Sequence, residues 1–151
     1  MPNPSATTED CVEPVTHSKV KVEENGRKAV FLNPDNLLVK KVTVDGCLSK
    51  DAGLKADYIV SKPGVVDVIV ELKGQDVPHA KDQIIATLLM WRTHPPFSSK
   101  IAALIVCSRS PLSSSELQIM KAKVLIRYRL WLEVDESGKK EYQFSTFEQI
   151  P

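Results

Sequence analysis

The 151-residue sequence lacks several features that would place it quickly in a class of proteins. Residues 1–10 are polar, so no signal peptide is evident, and no apolar run reaches the length of a membrane-spanning helix. It has no internal repeat and no long linker. These absences favour one cytoplasmic domain without a membrane partner, because 151 residues suit a single domain that can bury its own core.

Cysteine is scarce and charge of either sign is not in excess. Cys11, Cys47 and Cys107 are widely spaced, and no two of them have metal-ligand or redox spacing. We therefore expect Cys47 and Cys107 to be buried free thiols in a reducing compartment. The 20 basic and 19 acidic residues give a net charge of +1, so a nucleic-acid binder of this composition must gather its basic residues on one face.

Pattern and turn chemistry divide the chain into strands and helices. Residues 1–16, rich in Pro, Ser, Thr and acid, predict a flexible arm, and residues 17–151 predict a single domain. Two runs around Asn25 and Gly26 predict a hairpin with a tight turn. The further predicted strands are 37–44, 57–61, 67–73, 101–107, 124–134 and 142–144, and the predicted helices are 78–92, capped by Asp76, and 113–123. This order predicts an α/β (α+β) fold with a mixed central β-sheet flanked by helices.

One predicted hairpin brings acidic residues together. Side chains alternate along a strand, so Glu71 and Lys73 share one face of strand 67–73. A connection at 62–66 would pair Ser61 with Asp67 and place Asp57 opposite Glu71. Directly opposed residues have Cβ atoms roughly 4.5–5.5 Å apart, so two carboxylates there need a cation between them. Magnesium prefers such oxygen ligands.

Lys73 and Asp67 complete the candidate face. Lys73 would lie beside the carboxylates, where it can orient a water molecule or stabilise charge on a phosphoryl group. Asp67 competes for the acidic role, but it lies four residues from Glu71, on the order of 13 Å at ~3.3 Å per residue. The alternative is that Glu71 and Lys73 are neighbours on a solvated strand face.

Asp57 followed by Glu71-Leu72-Lys73 resembles the PD-(D/E)XK nuclease superfamily, in which one acid starts a strand and an acid-x-Lys triplet lies on the next. The resemblance covers about half of the chain, and it extends to Gln83 on the helix that follows. It implies a restriction-endonuclease-like core, here with an N-terminal β-hairpin. It also implies that Asp57, Glu71 and the Leu72 carbonyl bind the metal, with Lys73 as the catalytic lysine and Gln83 as an auxiliary polar group.

The function implied by this resemblance is that of a nuclease that uses Mg²⁺, or Mn²⁺ in its place, to hydrolyse DNA. Whether the chain forms a homodimer is left open by the sequence. Members of the superfamily usually begin with a helix that carries an acid, whereas this region predicts a hairpin. Glu23 and Glu24 are the nearest candidates for that acid. The alternative function is a non-catalytic nuclease-fold module, either regulatory or of the accessory or immunity type, which the near-neutral charge favours.

Overall fold

The computed structural model of this chain describes residues 8–72, 76–108, 112–138 and 141–149. The elements in chain order are α1 Thr8–Cys11, β1 Val12–Val15, β2 Lys19–Glu24, β3 Arg27–Leu32, β4 Val39–Thr43, β5 Tyr58–Lys62, β6 Val66–Leu72, α2 Val77–Thr93, β7 Ile101–Val106, α3 Ser114–Tyr128, β8 Trp131–Asp135, β9 Glu141–Gln143 and a 3₁₀ helix at Phe144–Phe147. This mixture of helices and strands confirms the predicted α+β class.

The central sheet has six strands in the order β1-β4-β5-β6-β7-β8. Its neighbours are antiparallel from β1 to β6 and parallel from β6 to β8. Helix α2 connects β6 to β7, because parallel neighbours need a crossover connection. The mixed sheet predicted from the sequence is therefore present, and β7 is buried along its whole length, as its continuous apolar run predicts.

A second sheet has three strands in the order β2-β3-β9. The predicted hairpin of β2 and β3 is confirmed, with Asn25 at φ 51° and Gly26 at φ 79°. Positive φ at both central residues is typical of a type I′ turn, which favours Asn-Gly. Strand β9 runs parallel to β3, with Val30 opposite Glu141.

The two sheets and the helices form three layers. The three-stranded sheet covers one face of the central sheet, and its Phe31 shares an apolar core with Phe147 of the 3₁₀ helix. Helix α2 covers the other face with a buried stripe of Ala80, Ile84, Leu88 and Trp91, as its spacing predicts. Asp76 caps α2 by accepting a hydrogen bond from the His79 N–H at 3.0 Å, also as expected.

Helix α3 is longer than the sequence pattern predicts. Ser113 and Glu116 form the expected capping box at its start, but the helix continues to Tyr128 instead of ending near residue 123. The predicted strand 124–134 is therefore wrong over its first half, and β8 begins only at Trp131. Arg129 ends the helix at φ 56°. The alternation around residue 128 imitates a strand because the helix exposes one of its apolar side chains, Ile126.

The N-terminal segment also departs from expectation. The flexible arm predicted for residues 1–16 is wrong for Val12–Val15, which pair with β4 at the edge of the central sheet. The pairing of Val12 with Val42 brings together the cysteines that lie near each strand, and Cys11 and Cys47 form a disulfide with a Cα–Cα distance of 5.7 Å. The expectation of a free Cys47 is therefore wrong, whereas Cys107 is a buried free thiol.

Within the described ranges, no helix combines the length and the apolar composition that crossing a bilayer requires.

Candidate metal centre

The candidate residues lie at the edge of the central sheet where β5 begins and β6 ends. The predicted pairing of β5 with β6 is confirmed at Ser61–Asp67 and continues regularly to Tyr58–Val70. The ladder stops one pair short of the predicted opposition of Asp57 and Glu71. Instead, the Asp57 N–H donates to the Val70 carbonyl at 3.2 Å. Asp57 is therefore still held on β6, but by an irregular contact at the strand end.

The Asp57 side chain makes the hydrogen bond that the strand pairing lacks at this end. Its Oδ2 accepts from the Leu72 N–H at 2.9 Å, and Asp57 is only 8% exposed. On the other side, the Val44 N–H donates to the Asp57 carbonyl at 3.0 Å. The Asp57 carboxylate is thus fixed on the backbone of Leu72, the residue that follows Glu71.

Glu71 is buried at the same edge, with 3% of its surface exposed. Ile69, two residues earlier on β6, packs in the cluster beneath α2. Side chains two apart on a strand share a face, so Glu71 also lies on the side covered by α2. Burial of two carboxylates at one end of the sheet is costly unless positive charge or hydrogen-bond donors compensate it. Lys73, predicted to supply such a charge, lies outside the described residues.

Helix α2 fixes the segment that leads into Asp57. Gln83 Nε2 donates to the Lys55 carbonyl at 3.0 Å, and Thr87 Oγ1 accepts from the Ala56 N–H at 2.7 Å. The predicted site residue Gln83 therefore lies against the chain two residues before Asp57. Its Oε1 is buried and has no hydrogen-bond partner among the residues that the structure describes.

Thr87 is a site-supporting residue that the sequence analysis missed. It is 1% exposed and lies between Ile84 and Leu88 on the buried stripe of α2. A hydroxyl on an otherwise apolar helix face was the signal, because a buried polar group needs a partner. Here that partner is the Ala56 N–H immediately before Asp57.

The β2–β3 hairpin adds carboxylates near this edge. The Tyr58 hydroxyl donates to the Glu23 carbonyl oxygen at 2.8 Å. Burial raises the pKa of Tyr58, and the negative charges of Glu24, Asp57 and Glu23 raise it further, in that order. The hairpin that holds the two candidate N-terminal acids therefore packs against the residue that follows Asp57.

Asp67, the competing acid, lies at the far end of β6. It is wholly buried and accepts a hydrogen bond from the Ser61 hydroxyl at 2.6 Å. Its position opposite Ser61, four residues before Glu71, separates it from the Asp57 edge, as the strand geometry predicts.

The donor set at the Asp57 edge fits a hard cation that keeps several waters. No cluster of three or more His, Cys, Asp or Glu side chains suited to a metal occurs in the described part of the chain. Asp57 and Glu71 would therefore supply two carboxylates, which is the usual protein share at magnesium sites that also bind phosphate. The buried Gln83 Oε1 is a further neutral oxygen in need of a partner. Leu72, whose carbonyl is the predicted third ligand, pairs with Val106 on β7.

Comparison with known proteins gives no relative for this chain: no family model, no curated protein and no solved structure matches it.

Proposed function

We propose that this chain is a magnesium-dependent nuclease that hydrolyses DNA phosphodiester bonds. The observation that carries the proposal is the burial of Asp57 and Glu71, 8% and 3% exposed, at one edge of the central sheet. Two carboxylates held this way match the oxygen ligands of magnesium, and Mn²⁺ can take its place. In this proposal Asp57, Glu71 and the Leu72 carbonyl bind the metal.

The chain's own residues would orient the reactants. The Leu72 N–H and the Val44 N–H fix both ends of Asp57, so its carboxylate needs little rearrangement to bind. Lys73 follows Leu72 in the sequence, and we assign it the orientation of the attacking water and the stabilisation of phosphate charge. Gln83 Oε1 would accept a hydrogen bond from that water or from a metal-bound one. When bound, the metal supplies Lewis-acid polarisation of the phosphate.

DNA, a cytoplasmic location and a homodimer with two sites are parts of this proposal. The Cys11–Cys47 disulfide argues against the cytoplasmic part of this proposal, because glutathione and thioredoxin keep most cytosolic thiols reduced.

A second candidate is a non-catalytic nuclease-fold module of regulatory, accessory or immunity type. The net charge of +1 favours it, because DNA-binding proteins usually carry a basic excess or a basic face. Such a module would keep the buried carboxylates as structural groups and would not cut DNA.

Cleavage of supercoiled plasmid and branched DNA with Mg²⁺ or Mn²⁺ tests the proposal. The variants are Asp57→Asn, Glu71→Gln and Lys73→Ala, and the first two keep the size of the side chain. The control is Asp82→Asn, which alters an exposed acid on helix α2 that is paired with Lys81. We expect each site variant to lose at least about 100-fold in rate and the control to keep it.

Calorimetric titration with Mg²⁺ separates the two functions. Metal binding that disappears in Asp57→Asn and Glu71→Gln, together with lost cleavage, supports the nuclease. Wild-type protein that neither binds metal nor cuts DNA supports the non-catalytic module. Cleavage that survives all three substitutions would show that these residues are not the site.

A further inference from the structure

The Cys11–Cys47 disulfide joins the edge of the central sheet to a turn that follows β4. Cys11 is the last residue of α1 and directly precedes β1, whereas Cys47 lies in the turn of residues 44–49. We call residues 44–49 the β4 turn. The Ser49 N–H closes it by donating to the Val44 carbonyl at 2.8 Å. The disulfide therefore fastens this turn to the segment that begins β1.

The β4 turn also holds the backbone of Asp57. The Val44 N–H donates to the Asp57 carbonyl at 3.0 Å, and the Asp45 N–H donates to the same oxygen at 3.4 Å. The Cys47 N–H donates to the Val44 carbonyl at 3.3 Å. The Asp57 carboxylate in its turn accepts from the Leu72 N–H at 2.9 Å. Hydrogen bonds therefore connect Cys47 through Asp57 to the end of β6.

Strand β1 has few other contacts that fix its position. Within the described residues it pairs with β4 alone, and only Val15 of its four residues is buried. Pro14 has no N–H to donate to β4. Glu13 and Lys41 form an ion pair at 3.7 Å, but the Glu13 side chain is 71% exposed, and exposed ion pairs contribute little to stability. The position of β1 therefore depends largely on the disulfide.

The disulfide is open to a reductant from one side. Cys11 is 5% exposed, whereas Cys47 is partly exposed, so a thiolate reaches the Cys47 Sγ first. Its attack forms a mixed disulfide with Cys47 and releases Cys11 as a thiolate, which takes up a proton. The second thiol of a dithiol reductant then displaces Cys47. The dithiol has given up two electrons and two protons to become a disulfide, and both cysteines end as thiols.

We infer that the Cys11–Cys47 disulfide is a reversible redox switch that determines how firmly Asp57 is held. While it is intact, β1 and the β4 turn form one cross-linked unit beside the Asp57 carbonyl. Reduction releases the turn from β1, so the turn opens more often and the Asp57 carbonyl loses its donors more often. Such a switch is compatible with the proposed cytoplasmic location, because cytosolic disulfides are usually transient and either catalytic or redox-sensing.

Hydrogen exchange of single amides, measured by NMR with and without dithiothreitol, tests the switch. We expect reduction to accelerate exchange of the Val44 and Leu72 amides at least about tenfold more than exchange of the Phe97 amide. The Phe97 N–H is the control because it donates to Asp67 at the opposite end of β6. Equal acceleration of all three amides would show that the disulfide only stabilises the whole fold, and it would overturn the inference.

Two variants assign the effect to this disulfide. Cys11→Ser/Cys47→Ser should exchange like reduced wild type at the Val44 and Leu72 amides, and dithiothreitol should not change its rates. Cys107→Ala keeps the disulfide and should respond to dithiothreitol like wild type. A response that persists in the double variant would mean that another group senses the reductant, and the inference would be wrong.

Thiol trapping tests whether the change is reversible. Dithiothreitol should make Cys11 and Cys47 reactive toward a maleimide in the folded chain, and oxidised glutathione should restore both the disulfide and the slow exchange. If the reduced chain unfolds, or if the two thiols do not form the disulfide again, the bond is a permanent link and not a switch.

Calorimetric titration with Mg²⁺ connects the switch to the proposed function, on which this part of the inference rests. We expect reduced wild type to bind Mg²⁺ at least about tenfold more weakly, because the groups that orient a metal ligand tune its affinity. Equal affinity in the two states overturns control of the site by the disulfide, whereas the proposed function stands. If neither state binds Mg²⁺ but the exchange rates differ as expected, the proposed function fails and the switch stands.

Discussion

The carboxylate of Asp67 accepts a hydrogen bond from the indole N–H of Trp91 at 2.8 Å and so joins β6 to α2 inside the core. The same carboxylate accepts from the Ser61 hydroxyl at 2.6 Å and from the N–H groups of Phe97 at 3.0 Å and Ser98 at 3.3 Å. A buried charge with this many donors is stabilised where it lies. Asp67 is thus an acid that holds the fold together.

We predict that Asp67→Ala lowers the free energy of unfolding by about 3–5 kcal/mol, because it leaves several buried donors without an acceptor. Urea denaturation measures the loss. The matched control Ser61→Ala removes only one of those donors and should cost about 1 kcal/mol. Equal losses in the two variants would contradict the proposed role of this carboxylate.

Thr87 provides a test of the support behind Asp57. Thr87→Val keeps the shape of the side chain but removes the acceptor for the Ala56 N–H. We expect the free energy of unfolding to fall by about 1–3 kcal/mol, the cost of an unpaired buried donor. Under the proposed function, magnesium affinity should fall as well, although no ligand is removed.

Thr93→Val is the matched control for that experiment, because Thr93 lies on the same helix but is exposed, and its hydroxyl donates to the Met90 carbonyl in the last turn of that helix. It should leave both stability and metal affinity nearly unchanged. If the two threonine variants behave alike, Thr87 does not support the site.

The Cys11–Cys47 disulfide predicts a stability that depends on reductant. It closes a loop between residues 36 apart in sequence, and a loop of that size stabilises the fold by about 3–4 kcal/mol through the chain entropy of the unfolded state. Urea denaturation with and without dithiothreitol measures the difference. The double variant Cys11→Ser/Cys47→Ser should have a lower free energy of unfolding than wild type, and reductant should not change it. A reductant effect that persists in the double variant would exclude this disulfide as the cause.

Cys107 predicts a loss of stability at high pH. Burial, followed by the charges of Glu136 and Asp135, raises the pKa of its thiol from 9.0 to about 11. The unfolded chain ionises first, so the contribution of the thiol is intact below pH 9 and is lost as the pH rises through about 11. Thermal unfolding between these values should show a smaller decline in Cys107→Ala than in wild type. An equal decline in both would contradict the prediction.

The sequence predicted best those features that local pattern determines. The register of β5 with β6 follows from the connection between them, and α2 follows from its apolar spacing and from Asp76. The end of α3 was missed because Ile126 is apolar but exposed, so its neighbourhood alternates like a strand. The disulfide was missed for a different reason: it depends on the pairing of β1 with β4, which no local signal near Cys11 reveals.

The candidate site was predictable only in part. The spacing of Asp57 and Glu71 placed both residues at one sheet edge, but the contact of the Asp57 carboxylate with the Leu72 N–H depends on the irregular end of the ladder. Thr87 acts through tertiary contact with a loop, and the sequence does not encode that contact as a motif. The role of Lys73 stays a prediction.

The parallel pairing of β9 with β3 has a consequence for how this chain folds. Val30 meets Glu141, so completion of the small sheet requires a contact between distant parts of the chain, whereas its β2–β3 hairpin forms locally. Contacts of such long sequence separation form slowly, because the chain loses loop-closure entropy before the contact stabilises it. Before β9 docks, the hairpin presents an open strand edge and the aromatic ring of Phe31, the kind of surface through which folding intermediates aggregate. We therefore expect the docking of β9 to be a late step, and the partly folded chain to be most vulnerable just before it.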